Sequence, residues 1–301
     1  MTLAPGRHEL AAMFQAVLPF PNIDPVALHI WGPLVIRWYA LAYVVGLLLG
    51  WWGVGLLIRR KQLWAPPPFN GKPPMTEDQA GDLVVWMTFG VIIGGRLGWD
   101  LVYGTILCSV SPDADFCRGL PMAFATNPVK LIAAWEGGMS FHGGLLGVVV
   151  ATWLFCRRQK LSLFSVADLV AVVAPVGLFF GRIANFVNGE LWGRVSHVPW
   201  AMVFPRAGLE PRHPSQLYEA ASEGLLLFII LQICLAFGLH RRPGILSAIF
   251  FLGYGTFRFI CEFFREPDAP FLGPVSMGMA LSIPVWLTAG ALFALSVKKA
   301  A

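Results

Sequence analysis

Residues 166–187 read VADLVAVVAPVGLFFGRIANFV, an apolar run whose charged side chains are Asp168 near one end and Arg182 near the other. A helix rises about 1.5 Å per residue, so a run of this length covers the roughly 30 Å of a hydrocarbon core. It reads as a transmembrane helix that keeps an arginine inside lipid. Working outward, windows of similar character fall at 33–58, 83–105, 139–156, 219–238, 244–264 and 276–297. The whole chain agrees: 56% of its 301 residues are hydrophobic and 13% charged, against an apolar share of about 45–50% in soluble domains. The mean hydropathy is +0.66. The expected fold class is an all-α integral membrane protein of about seven transmembrane helices, forming one membrane domain over residues 1–301.

Residues 1–32 carry Arg7, His8, Glu9, Asp24 and several prolines instead of the continuous apolar core of a signal peptide. They are expected to form an external N-terminal arm, with the first span as its own insertion signal. Residues 188–218, rich in Pro, Gly and Trp, are expected to form a small external cap between spans four and five. Residues 66–74, PPPFNGKPP, read as an extended, mobile linker. The glycine spacings Gly90/Gly94/Gly98, Gly143/Gly147 and Gly177/Gly181 suit close helix packing.

The 22 lysines and arginines divide unevenly. Arg59, Arg60, Lys61, Lys72, Arg157, Arg158, Lys160, Arg241, Arg242, Lys298 and Lys299 cluster at span ends on one side, which the positive-inside rule makes cytoplasmic. The N-terminus is then outside and the C-terminus inside. The net charge of +5 follows this membrane pattern, and nucleic-acid binding is not expected because a basic face interleaved with stacking aromatics is missing. Cys108 and Cys117 share an outward segment, and their pairing is left open by the sequence. No CxxC or HExxH spacing occurs, so neither a metal nor a cofactor is expected.

Arg37, Arg96, Arg182 and Arg258 fall within the apolar windows, where a charge costs about 2.5–3.5 kcal/mol on insertion scales. Side chains three or four apart share a helix face. Arg96 has Asp100 at i+4, and Arg258 has Glu262 at i+4 with Tyr254 at i−4, so an internal ion pair is the plain reading for both. Arg37 lies near a span end and can snorkel. Arg182 faces Leu178, Phe179, Asn185 and Phe186, with no carboxylate in helical reach, and so most needs an outside anion. Tyr39, His142, Arg182, Asn185, Tyr254, Arg258 and Glu262 all fall toward the outer boundary. An anionic lipid headgroup entering sideways fits that layout, because guanidinium forks bind phosphate through paired hydrogen bonds; a soluble anion fits too. His142 reads either as a structural hydrogen-bond donor or as a base. An anion transporter is the rival class, but it favours polar groups through the full membrane depth and inverted repeats, which the chain lacks. An intramembrane protease is disfavoured because Ser140 and His142, two apart, cannot face each other on a helix.

These residues resemble the bacterial prolipoprotein diacylglyceryl transferases along nearly the whole chain. The resemblance rests on RWY at 37–39, GGR at 94–96, GGMSFHGG at 137–144, GRIANFVNGELWGR at 181–194, RHPSQLYE at 212–219, Tyr254-Gly255 with Arg258, and EFFREPD at 262–268. Ala40 and Ala184 stand where the family often has glycine. The resemblance implies transfer of the diacylglyceryl group of phosphatidylglycerol to the lipobox cysteine thiol of preprolipoproteins. A thioether would form and glycerol phosphate leave, as the first step of lipoprotein maturation. It implies residence in the bacterial inner membrane, with phosphatidylglycerol, lipobox signal peptides and membrane lipids as partners. It assigns catalysis to His142, Arg182 and Arg258, and substrate binding to Tyr39, Arg96, Asn185, Glu190, Gly193, Tyr254 and Glu262.

Overall fold

A computed structural model describes residues 18–21, 23–31, 34–101, 129, 139–267, 270–272 and 275–298. Cys108, Cys117 and the arm before residue 18 lie outside the described residues. In chain order, a hairpin of β1 (Val26–Trp31) and β2 (Leu34–Arg37) leads into α1 (Trp38–Arg59). There follow α2 (Glu77–Gly98), α3 (Phe141–Gln159), α4 (Leu163–Val187), α5 (Ser215–Ala236) and α6 (Ile245–Cys261). A second hairpin, β3 (Pro270–Leu272) with β4 (Val275–Ser276), precedes α7 (Met277–Lys298).

Every apolar window overlaps one of these helices. Among the described residues, α1, α2 continued to Leu101, α4, α5 and α7 are long and apolar enough to cross a membrane. The 17 residues of α6 fall short of that length, and α3 is not among the five. The protein is therefore a multi-pass helical membrane protein. The first window starts too early: residues 34–37 pair with Val26–Trp31 as a strand, and Arg37 is the extended residue before α1. Arg37 is exposed and outside any helix, so of the four arginines expected within spans three, Arg96, Arg182 and Arg258, lie in helices.

The described residues form two compact units, one of residues 1–71 with 167–301 and one of 72–166. In the second unit α2 begins with a reciprocal cap. Thr76 Oγ1 accepts from Gln79 N, and the Gln79 side chain accepts from Thr76 N. Ser140 Oγ caps α3 by accepting from Gly143 N at 3.2 Å. The two helices run antiparallel with their glycines in register. A Cβ on Gly94 would sit 2.8 Å from Gly147 Cα, and one on Gly98 2.7 Å from Gly143 Cα. Only glycine allows backbones that near.

In the first unit, Gly46 of α1 packs on Gly177 of α4, and Gly224 of α5 on Phe179 of α4. Gly253 of α6 meets Leu227 of α5, and Gly255 meets Trp286 of α7. A Cβ on Gly177 or Gly181 would meet nothing within 4 Å, so Gly181 is not the packing position its spacing suggested. The 66–74 linker is not loose over its first half, because Phe69 stacks on the buried His240 ring at 18°, and Trp64 packs edge-on against both. Asp168, which is 3% exposed, caps the next helix over. Its Oδ2 accepts from Gly244 N at 2.7 Å, and its Oδ1 accepts from Ser247 N at 2.8 Å and Ser247 Oγ at 2.7 Å, at the start of α6.

Asp168→Ala leaves three buried donors unmet and is expected to destabilise the protein by about 1–3 kcal/mol. Asp168→Asn, which keeps one acceptor oxygen, should lose less. Thermal unfolding in detergent reads both, and a wild-type midpoint for the alanine variant would refute the capping role.

Candidate functional site

Arg182 lies in the last turns of α4, one turn beyond Phe179, where Gly224 brings α5 in close. That stretch of α5 is not regular: residues Ala220–Leu226 form a π-helical turn between two α-helical segments. Such turns re-aim side chains and recur at functional sites. Here the irregular turn carries Glu223 and directly follows Glu219, and both are completely buried. Arg182 Nε lies 3.0 Å from Glu219 Oε2, and Arg182 Nη2 donates to Glu223 Oε2 at 3.2 Å. The expectation that Arg182 most needs an outside anion is therefore corrected. Its own helix offers none, but the neighbouring helix offers two.

Arg258 of α6 completes the arrangement. Its Nη1 donates to Glu219 Oε1 at 2.7 Å and its Nη2 lies 2.8 Å from Glu262 Oε2, the anticipated i+4 pair. Arg265 Nη1 approaches Glu219 Oε1 at 3.5 Å. Among the described residues, three arginines and three glutamates thus share one largely buried network whose formal charges cancel. Burial of single ions here would be prohibitive, and mutual pairing is what makes the cluster tenable. A guanidinium has five N–H donors. Among the described residues Arg182 Nη2 donates to Glu223 and Arg258 Nη1 to Glu219, while Arg182 Nε with Glu219 and Arg258 Nη2 with Glu262 are ion pairs, so each guanidinium keeps donors for another acceptor.

Tyr254, one turn before Arg258, is close enough to both arginines and to Glu219 and Glu223 to sense their charges. Tyr39 and Tyr43 of α1 join through their hydroxyls at 3.1 Å, with Tyr43 in electrostatic reach of Arg182 and Glu190. Glu190 Oε1 accepts from Asn185 Nδ2 at 2.8 Å and Asn188 Nδ2 at 3.4 Å. Its backbone is clamped as well. Gln216 Nε2 donates to the Glu190 carbonyl at 2.6 Å and Ser215 Oγ to the Leu191 carbonyl at 2.9 Å. Gly189 and Leu191 flank it at φ +61° and +58°. A left-handed leucine is strained and persists only where surroundings over-determine it; the buried Ser215 and Gln216 supply that.

Residues 192–213 fold into an irregular bridged segment fastened to the end of α6. Gly193 pairs with Arg265, Arg194 N donates to Phe264 O at 2.8 Å, and Arg194 Nε donates to Arg265 O at 3.0 Å. A Cβ on Gly193 would lie 2.5 Å from His213 O and 2.6 Å from Phe264 O, so the residue is a backbone crossing that admits no side chain. Arg212 pairs with Glu266 at 3.0 Å. Trp200 Nε1 donates to Tyr218 Oη at 2.6 Å, and Tyr218 Oη lies 3.0 Å from His213 Nδ1. Burial lowers the His213 pKa, which favours the neutral ring.

Of the residues expected at a site, Tyr39, Asn185, Glu190, Gly193, Tyr254, Arg258 and Glu262 lie in the same unit as Arg182. Arg96 and His142 belong to the second unit. There Arg96 Nε lies 3.4 Å from Asp100, and His142 opens α3 with its side chain exposed. Sequence reading missed Glu219, Glu223 and Arg265. A signal existed for the first two: two carboxylates four residues apart in an otherwise apolar helix demand partners as strongly as intramembrane arginines do.

The chain is similar to known proteins along most of its length. A family model described as prolipoprotein diacylglyceryl transferase matches residues 25–295. A phosphatidylglycerol–prolipoprotein diacylglyceryl transferase of Rhodospirillum rubrum is 51% identical over 90% of this chain and 91% of its own. Proteins of that name from Agrobacterium fabrum and Methylocella silvestris are 47% and 45% identical, covering 90% and 95% of this chain and 91% and 98% of their own.

Glu219→Gln removes the charge that all three arginines share, and breaking a buried pair typically costs about 3–5 kcal/mol. The variant should unfold at lower temperature in detergent than Glu262→Gln, which deprives Arg258 alone. Equal midpoints would show that Glu219 is not the shared anchor.

Proposed function

This chain belongs to the prolipoprotein diacylglyceryl transferase family, and on that footing we infer that it transfers the diacylglyceryl group of phosphatidylglycerol to the lipobox cysteine thiol of preprolipoproteins. The sulfur forms a bond to the glycerol carbon that carries the phosphate, the carbon–oxygen bond breaks, and glycerol phosphate leaves. The observation that supports the site is the pair of arginines locked to one carboxylate, Glu219, each with donors to spare. As the carbon–oxygen bond breaks, the phosphate goes from one negative charge toward two. Cations already held in place stabilise that growth without having to reorganise.

Arg182 and Arg258 hold the phosphate, with Tyr254 beside them and Glu262 fixing Arg258. Asn185 and Glu190 form a polar wall. Gly193 keeps the bridged segment against the end of α6, and Tyr39 lies on the α1 side. A thiol must become thiolate to attack carbon, and a guanidinium is always protonated, so the base is another group. His142 takes that role. Arg96, held by Asp100, contributes to substrate binding. All seven apolar helices cross the inner membrane as one domain, with the N-terminus outside and the C-terminus cytoplasmic. Residues 188–218 form the outer cap.

Purified protein mixed with labelled phosphatidylglycerol and a lipobox peptide should yield lipid-modified peptide; a barren reaction beside a working relative would defeat the reading. Arg182→Lys should lower turnover at least 100-fold although the charge is kept, because the planar fork is lost. His142→Gln should depress kcat while leaving lipid affinity within about threefold; an unchanged kcat removes His142 as the base.

A further inference from the structure

Glu223 is the member of the ion network to which the transfer reaction so far gives no task. Its side chain is fully buried. Its one partner is Arg182 Nη2, at 3.2 Å from Oε2, and Oε1 has no hydrogen-bond partner. The charged and titratable groups that act on it come from three elements. Arg182 stands on α4, Arg258, Tyr254 and Cys261 on α6, and Glu219 on its own helix. Arg258 already serves Glu219 and Glu262, and Arg265 serves Glu219. Among the described residues Arg182 alone donates a hydrogen bond to Glu223, and Arg258 reaches it only through its charge.

Among the described residues the network is neutral at rest, with three guanidiniums against three carboxylates. An arriving lipid phosphate adds one negative charge to a buried site, with Glu190 contributing another close by. The phosphate also competes for Arg182, and the contact it displaces most readily is the single one to Glu223. A buried carboxylate without a donor cannot stay ionised beside Glu219. Neutrality returns when one carboxylate takes up a proton.

We propose that Glu223 takes up one proton as the lipid phosphate binds and gives it to the departing phosphate, acting as the general acid of the transfer. The inference rests on the proposed transferase reaction. When the carbon–oxygen bond breaks, its electron pair stays on the phosphate oxygen, and the Glu223 carboxyl proton passes to that oxygen. Glycerol phosphate leaves as a monoanion, and the restored carboxylate pairs with Arg182 again. The thiol proton departs separately through the base to solvent, so one proton enters with the lipid and one leaves from the thiol.

Calorimetric titration of the full-length protein in detergent with short-chain phosphatidylglycerol, in buffers of different ionisation enthalpy, counts protons on binding. Wild type should take up about one proton per lipid, and Glu223→Gln none, with its single-turnover rate reduced about 100-fold or more. Glu190→Gln should keep the uptake. Infrared difference spectra of the wild type alone should gain a protonated-carboxyl C=O band on lipid addition, which tests the idea even if the glutamine variant does not fold. Zero uptake and no new band in a wild type that transfers lipid would overturn the inference. So would uptake lost in Glu190→Gln but retained in Glu223→Gln. A wild type that transfers no lipid at all would instead overturn the transferase reading.

Discussion

The Glu219 carboxylate is the contact on which the arrangement of this site depends. It sits without solvent access between guanidiniums from α4, from α6 and from the turn after α6. Each of those arginines would be untenable in an apolar interior by itself, and Glu219 would be too. Pairing them makes the burial possible, and it also fixes the spacing of Arg182 and Arg258, since both touch opposite oxygens of one rigid group. The phosphate proposed to bridge the two arginines would meet cations whose positions are set before it arrives.

The surrounding structure preserves that geometry. The π-helical turn in α5 presents Glu223 while Gly224 lets the helix lie directly on Phe179. Asp168, in the opposite half of α4 from Arg182, ties α4 to the start of α6. The bridged 192–213 segment is fastened through Gly193 and Arg194 to the backbone at Phe264 and Arg265, and Arg265 is itself part of the ion network. Ser215 and Gln216, completely buried, hold the strained backbone around Glu190 from the first turn of α5. Rigid backbone elements carry the charged groups, which suits a reaction helped by preorganised charge.

The helices were legible because lipid imposes a length and a polarity on every segment that crosses it. Local chemistry blurred their ends. Residues 34–37 are apolar enough to extend the first window, yet they pair with Val26–Trp31 as a strand, which moves Arg37 out of the helix. Contacts between residues three or four apart could also be read, and Arg96 with Asp100 and Arg258 with Glu262 are the pairs that spacing implied. Arg182 could not be resolved in that way. Its acids lie 37 and 41 positions further along, on another helix.

The sequence by itself therefore determined the membrane class, the apolar helices, the family, and which buried charges needed an explanation. Each of these follows from local composition, spacing or an ordered series of motifs. Only the tertiary structure decided which acids Arg182 meets, that one carboxylate serves three arginines, and that the described members of the network balance in charge. Those facts depend on the rotation of each helix about its axis and on how near glycine lets neighbours come, and neither is written in the pattern of any single segment.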